Sequence, residues 1–342
     1  MDARGSRDVL QEASDVSDLR YEDVVGAQRR LRDWLPRTPL LRSDTLDEHV
    51  GHRVVFKAEC FQKVGAFKSR GALNALLRMR ERNQLPEHVV AFSSGNHAQA
   101  VAWACSQLDI RSTLLMPRGA SDVKHRATEA YGAEVEIAPN RKVAEDRAAE
   151  LAAAGAFLLP PYDHDDIICG QGTACLEALS DGVEPDAIFA PCGGGGLLSG
   201  TWLATQGMAP DIEVWGVEPE TANDAARSYR EGTIQRYDKA PRTIADGVRT
   251  LSLSERTFSY VRRTAGILET DEDTILAWTQ WLTHLLKATV EPTAALGMAG
   301  AARWLRGRST PSVALVILSG GNLSKATRAR VWKRDLLHAF PE

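Results

Sequence analysis

The chain has 342 residues, 44% of them apolar and 25% charged, the balance of a globular protein rather than a disordered or fibrous one. Forty-one Lys and Arg face 45 Asp and Glu, a formal charge of −4, so no basic excess is available to grip nucleic acid or an anionic membrane surface. No wholly apolar run is longer than Val313–Leu318 and the amino terminus carries no apolar signal core, so neither membrane nor nucleic-acid partners are expected and the location expected is cytoplasmic.

The segment before Tyr21 mixes acids and bases and reads as a solvated arm. From Arg53 onward, β-branched runs alternate with longer amphipathic stretches. Arg53–Ala58 reads as a strand and Lys68–Glu81 as the helix after it. Val89–Phe92 is followed by Gln99–Leu108, Thr113–Met116 by Asp122–Tyr131, and Val135–Ala138 by Lys142–Ala153. Phe157–Leu159, Ala187–Ala190 and Val214–Val217 read as further strands, Thr173–Ser180 and Thr274–Lys287 as helices, and Val313–Leu318 as a last, wholly apolar strand. Strands separated by helices of ten or more residues imply βαβ units and mainly parallel sheets buried on both faces. The class is α/β, and the length accommodates two domains. Cys60, Cys105, Cys169, Cys175 and Cys192 are scattered without a C-x-x-C pair and read as small buried apolar residues.

Four glycine- or serine-rich turns each follow a strand and precede a helix. They are Gly65-Ala-Phe-Lys-Ser-Arg-Gly71, Ser93-Ser-Gly-Asn-His97, Gly193-Gly-Gly-Gly-Leu197 and Ser319-Gly-Gly-Asn322. Such turns gather at the carboxyl ends of parallel strands, where ligands bind. Gly193–Gly196 would aim bare amides and a helix start at a phosphate. It is neither a dinucleotide fingerprint, because Leu198 and Ser199 stand where its third glycine belongs, nor a P-loop, because no Gly-Lys-Ser/Thr follows. Lys68 near a helix start could be a nucleophilic amine or, taken alone, an ordinary surface lysine.

These turns, with Thr38-Pro-Leu40, Gly170-Gln-Gly-Thr173, Thr243-Ile-Ala-Asp-Gly-Val248 and Glu291-Pro-Thr293, resemble in order the motifs of the pyridoxal-phosphate fold-type II serine/threonine dehydratases. The branch most similar holds serine racemases and 3-hydroxyaspartate dehydratases, and the resemblance covers about Tyr21 to Asn322. It implies a tryptophan synthase β-like fold of two open, mainly parallel sheet domains, with pyridoxal 5'-phosphate in the crevice between them. Residues 1–82 and 162–342 would form the large domain and 83–161 the small one.

Carried over by position, the resemblance makes Lys68 the Schiff-base lysine, with Phe67 beside the cofactor ring. Gly193, Gly194, Gly195, Gly196 and the Leu197 amide would hold the phosphate, Asn96 the phenolic oxygen, and Ser319 would face the pyridine nitrogen. Ser93, Ser94, Asn96 and His97 would surround the substrate carboxylate. In Gly216-Val-Glu-Pro-Glu-Thr-Ala-Asn-Asp224, the oxygen donors Glu218, Ala222 and Asp224 stand where the family binds Mg²⁺ or Ca²⁺. The activity implied is dehydration and deamination of a small β-hydroxy amino acid (serine, threonine or 3-hydroxyaspartate) by a homodimer. An amino-acid racemase using Lys68 and Ser94 as proton carriers on two faces is the alternative. A non-catalytic binder of a phosphate ligand is the remote one. Arg141 and Thr250 lie where relatives could contact a second carboxylate.

Overall fold

The computed structural model describes residues 18–93, 95–118 and 122–341, excepting the side chains of 122–124. Ten strands lie in this part of the chain: β1 (Leu40–Leu41), β2 (Arg53–Ala58), β3 (His88–Phe92), β4 (Arg111–Pro117), β5 (Glu134–Ala138), β6 (Phe157–Leu158), β7 (Ala187–Pro191), β8 (Glu213–Pro219), β9 (Gly266–Thr270) and β10 (Val313–Leu318). They form a six-stranded sheet of order β1-β2-β10-β7-β8-β9 and a four-stranded sheet of order β5-β4-β3-β6. Only the β1–β2 pairing is antiparallel.

The continuous apolar runs are explained by period-two alternation with both faces covered. In β10, Ala314, Val316 and Leu318 join one core with Trp278 and Leu296, from the helices Glu272–Leu286 and Pro292–Arg306. Leu315 and Ile317 point the other way, into a second core with Cys175 and Leu198, from the helices Asp165–Ser180 and Gly196–Met208. The smaller sheet divides likewise. Val89, Ala91 and Leu114 pack against Leu73, Leu76 and Leu77 of the helix Lys68–Glu81, while Val90 and Leu115 meet Ala144 and Ala148 behind. The helix that starts at Lys68 therefore leaves a strand of the large sheet and packs on the small one. Its first residue lies at the seam.

Some elements differ from the expectation. The helix read as Thr173–Ser180 starts at Asp165, capped by His164, whose Nδ1 accepts the Asp166 N–H at 3.2 Å. Gly170 and Gly172 suggest a break, yet they sit inside the helix where neighbouring backbones come too close for a side chain. Pro292–Arg306 shows no apolar stripe because it is buried nearly all round. The edge strands β1 and β9 and the helix Tyr21–Leu31 carry too short or too mixed a pattern to stand out. Four of the cysteines are buried and Cys60 is half-buried. Among the described residues no helix is long and apolar enough to cross a membrane.

Candidate functional site

Two of the four turns are zipped together by their backbones. Ala66 pairs with Gly320, the Phe67 N–H donates to the Ser319 carbonyl at 3.0 Å, and the Gly321 N–H donates to the Gly65 carbonyl at 3.0 Å. The third turn is tied to them by side chains. Asn96 Nδ2 donates to Glu291 Oε1 at 3.0 Å, and Asn322 Nδ2 donates to Asn96 Oδ1 at 2.9 Å and to the Val64 carbonyl at 2.7 Å. The Asn322 N–H donates to Glu291 Oε2 at 3.1 Å. Glu291, buried at the start of the helix Pro292–Arg306, thereby sets the orientation of Asn96.

The fourth turn faces these three across a cavity of about 640 Å³, whose lining includes Phe67, Lys68, Asn96, Gly194, Tyr162 and Ser319. Gly195, at φ +84°, is the residue before the helix Gly196–Met208 and leaves that helix's first N–H groups directed at the cavity. At Gly194 a Cβ would lie 2.2 Å from the Tyr162 ring, so that ring rests on the bare backbone of the loop. Tyr162 Oη donates to the Ser252 carbonyl at 3.2 Å, fixing the ring. No motif marks Tyr162, and the sequence reading missed it, as it missed the orienting roles of Glu291 and Asn322.

Lys68 Nζ reaches into this cavity, donating to the Pro161 carbonyl at 2.7 Å and lying 5.1 Å from the Phe67 ring centre. Burial disfavours its ammonium form and pulls the amine down to about 8. His97 is buried and neutral: burial first, then the Lys68 charge, pulls its imidazole down to about 3. Its Nε2 lies 3.0 Å from the Leu159 carbonyl, which can only accept, so Nε2 carries the ring proton and Nδ1 a lone pair. Ser319 is buried and its Oγ has no hydrogen-bond partner among the described residues. Ser93 Oγ accepts the Gly95 N–H at 3.2 Å. Ser94 lies outside the described residues.

Behind the seam, four ionic side chains form a buried network. Arg70 donates to both oxygens of Glu59 at 2.6 and 2.8 Å and to both of Glu177 at 2.8 Å. Lys57 Nζ donates to Glu177 at 2.7 Å and to the Thr38 carbonyl at 2.8 Å. This ties β2, the Lys68 helix and the helix Asp165–Ser180 together two residues from Lys68.

Glu218, Ala222 and Asp224 are not part of the cavity wall. All three are buried, and Glu218 accepts the Ala225 and Ala226 N–H groups at 3.3 and 2.8 Å. Neither oxygen of Asp224 receives a hydrogen bond from another residue among those described. Burial pushes Asp224 up to about 7, and burial with the Asp224 charge holds Glu218 well above the carboxylate range. Both acids also act on the thiol of Cys192, the residue before the glycine loop.

The family model "Pyridoxal-phosphate dependent enzyme" matches residues 31–320. The chain is similar to an L-threo-3-hydroxyaspartate ammonia-lyase from Saccharomyces cerevisiae, 43% identical over 89% of this chain and 93% of the relative. It is also similar to a serine racemase from Schizosaccharomyces pombe, 40% identical over 89% of this chain and 94% of the relative. Among solved structures it resembles maize serine racemase with a TM-score of 0.86 at 33% identity, covering 94% of this chain and 99% of that one.

Proposed function

The chain belongs to the pyridoxal-phosphate dependent enzyme family, and we propose that it dehydrates and deaminates a small β-hydroxy amino acid, 3-hydroxyaspartate in preference to serine or threonine, to the 2-oxo acid and ammonia. The preference rests on the cavity wall, where Arg118, Arg141, Arg249 and Arg330 join Lys68, against the carboxylates of Asp246 and Glu291 and with Glu145 paired to Arg141 at 2.7 Å. Glu291 is already engaged by Asn96 and Asn322. A cavity so rich in guanidinium groups favours a substrate with two carboxylates, which serine and threonine lack.

Three features support pyridoxal phosphate in this cavity. A part-buried amine is held at about 8, the glycine loop leaves its amides bare beneath Tyr162, and a buried serine hydroxyl has no partner among the described residues. Lys68 would carry the covalent link, with Phe67 beside the ring. Gly193, Gly194, Gly195, Gly196 and the Leu197 N–H would hold the phosphate, and Ser319 Oγ the pyridine nitrogen. Asn96 has two N–H bonds on Nδ2; one serves Glu291 and the other can meet the phenolic oxygen. Bound there, the cofactor supplies an electron-withdrawing ring that stabilises negative charge at the substrate Cα.

The Lys68 amine would accept the substrate Cα proton, a role that an amine disfavoured as ammonium by burial suits near neutral pH. Loss of that proton and the β-hydroxyl amounts to loss of water, and hydrolysis of the released enamine gives the 2-oxo acid and ammonia. Ser93, Asn96 and the first N–H groups of the helix Asn96–Ser106 would receive the substrate carboxylate. His97 keeps its expected place at the substrate carboxylate. With its proton given to Leu159, the ring offers only a lone pair, so His97 serves the carboxylate through its main-chain N–H.

The same proposal includes Mg²⁺ or Ca²⁺ at Glu218, the Ala222 carbonyl and Asp224, supported by the two buried carboxyl groups side by side, of which Asp224 has both oxygens unsatisfied among the described residues. It also includes a cytoplasmic homodimer. The racemase reading, with Lys68 and Ser94 as the proton carriers, is kept because a serine racemase is among the similar proteins. The test is Arg141→Ala assayed on L-threo-3-hydroxyaspartate and on L-serine. Loss of a guanidinium–carboxylate pair should lower kcat/KM on the dicarboxylate at least about tenfold and leave L-serine within about threefold. An equal loss on both substrates would remove Arg141 from substrate selection.

A further inference from the structure

Arg227 is the third residue after Asp224 on the helix Asp224–Glu231. Side chains at that spacing lie on one helix face. Its guanidinium stacks 4.5 Å from the Tyr237 ring centre, while its Nε and Nη2 are buried without a hydrogen-bond partner among the described residues. An unpaired buried guanidinium edge is costly, and so is an unpaired buried carboxylate. This helix carries one of each, and the Arg227 charge acts directly on Asp224. Tyr237 is fixed in turn, since its hydroxyl donates to Asn223 Oδ1 at 2.8 Å and accepts the Asn223 N–H at 3.1 Å. Asn223 is the residue before Asp224. The ring therefore holds the guanidinium on the helix face of Asp224, and no ion pair closes between them among the described residues.

We propose that Arg227 is an internal counter-cation of the Glu218–Asp224 pair, competing with the divalent ion and setting its affinity. The inference rests on the cation reading given above. A guanidinium on the same helix face as Asp224 offsets negative charge at the ion-free site, which keeps the fold tolerable when the ion is absent. When a divalent ion binds, the guanidinium becomes a repelling neighbour and weakens its hold. Metal affinity becomes moderate and reversible, and stability no longer depends wholly on the ion.

The test is calorimetric titration of MgCl₂ and of CaCl₂ into chelator-treated holoenzyme, for the wild type, Arg227→Gln, Arg227→Lys and Glu218→Gln. Removing a unit positive charge one helical turn from Asp224 should tighten binding about tenfold in Arg227→Gln, whereas Arg227→Lys should stay within about threefold of the wild type. Thermal unfolding supplies a second readout. In chelator Arg227→Gln should melt below the wild type, and saturating CaCl₂ should close that gap, which a merely structural loss would not do. Unchanged or weaker binding in Arg227→Gln, with a gap that calcium leaves open, overturns the counter-cation role. If binding is seen in the wild type and lost in Glu218→Gln, the cation site stands even then. If neither the wild type nor Arg227→Gln binds either ion, the cation reading and this inference fall together.

Discussion

At the scale of single residues, Lys68 owes its chemistry to position. Its amine lies in a cavity where it donates to the Pro161 carbonyl, and burial removes much of its basicity. A neutral amine is what captures an aldehyde. The sign is that of a lysine whose folded value is lowered, so the neutral fraction grows as pH rises through about 8 rather than through the ordinary value of 10.5. Covalent capture of pyridoxal phosphate by the cofactor-free protein, followed by visible absorbance, should therefore speed up with pH and level off just above 8. In Lys68→Ala no borohydride-stable adduct should form and activity should vanish. A capture rate still climbing steeply at pH 9.5, or an adduct on another lysine, would contradict this. Lys68, the glycine loop and Ser319 were legible in the sequence because each falls in a strand-to-helix turn of distinctive composition. Tyr162 was not, because a tyrosine after two prolines carries no signal until the fold lays it on Gly194.

At the scale of elements, the helix Lys68–Glu81 is the part on which the site depends. Its leucines belong to the small sheet's core, while Arg70 anchors its start to β2 and to the helix Asp165–Ser180 through Glu59 and Glu177. The network is self-consistent only when complete, since two buried carboxylates face two buried cations. Replacing Arg70 by Met leaves Glu59 without its bidentate partner and should destabilise the fold by about 3–5 kcal/mol. Denaturant unfolding of Arg70→Met checks this, and a loss below about 1 kcal/mol would show that the network relaxes without cost. Strand-and-helix alternation was readable from β2 to β10 because apolar runs recur between amphipathic stretches. The helix Pro292–Arg306 escaped for the opposite reason: buried nearly all round, it has no polar face to set a period. Arg70 gave no warning either, because pairing between residues 59, 70 and 177 is a tertiary event that spacing does not encode.

At the scale of the whole molecule, two sheets bring four turns distant in sequence around one cavity, and a single core on each face of the large sheet holds them there. The turns and their order could be read in advance. The charge of the cavity wall could not, since Arg118, Arg141, Arg249 and Arg330 come from four separate segments and look like ordinary surface residues until the fold sets them around one cavity. That wall, added to the family's cofactor chemistry, makes the central claim: a dehydratase for a hydroxy dicarboxylate. The most direct measurement supplies the pyridoxal-phosphate-loaded protein with L-threo-3-hydroxyaspartate and, separately, with L-serine, and quantifies 2-oxo acid, ammonia and the D-enantiomer. The account predicts oxaloacetate and ammonia in equal amounts, with kcat/KM at least about tenfold above that for pyruvate formation from L-serine, the margin a satisfied second carboxylate provides. Accumulation of D-serine in excess of any 2-oxo acid, with hydroxyaspartate left intact, would contradict it.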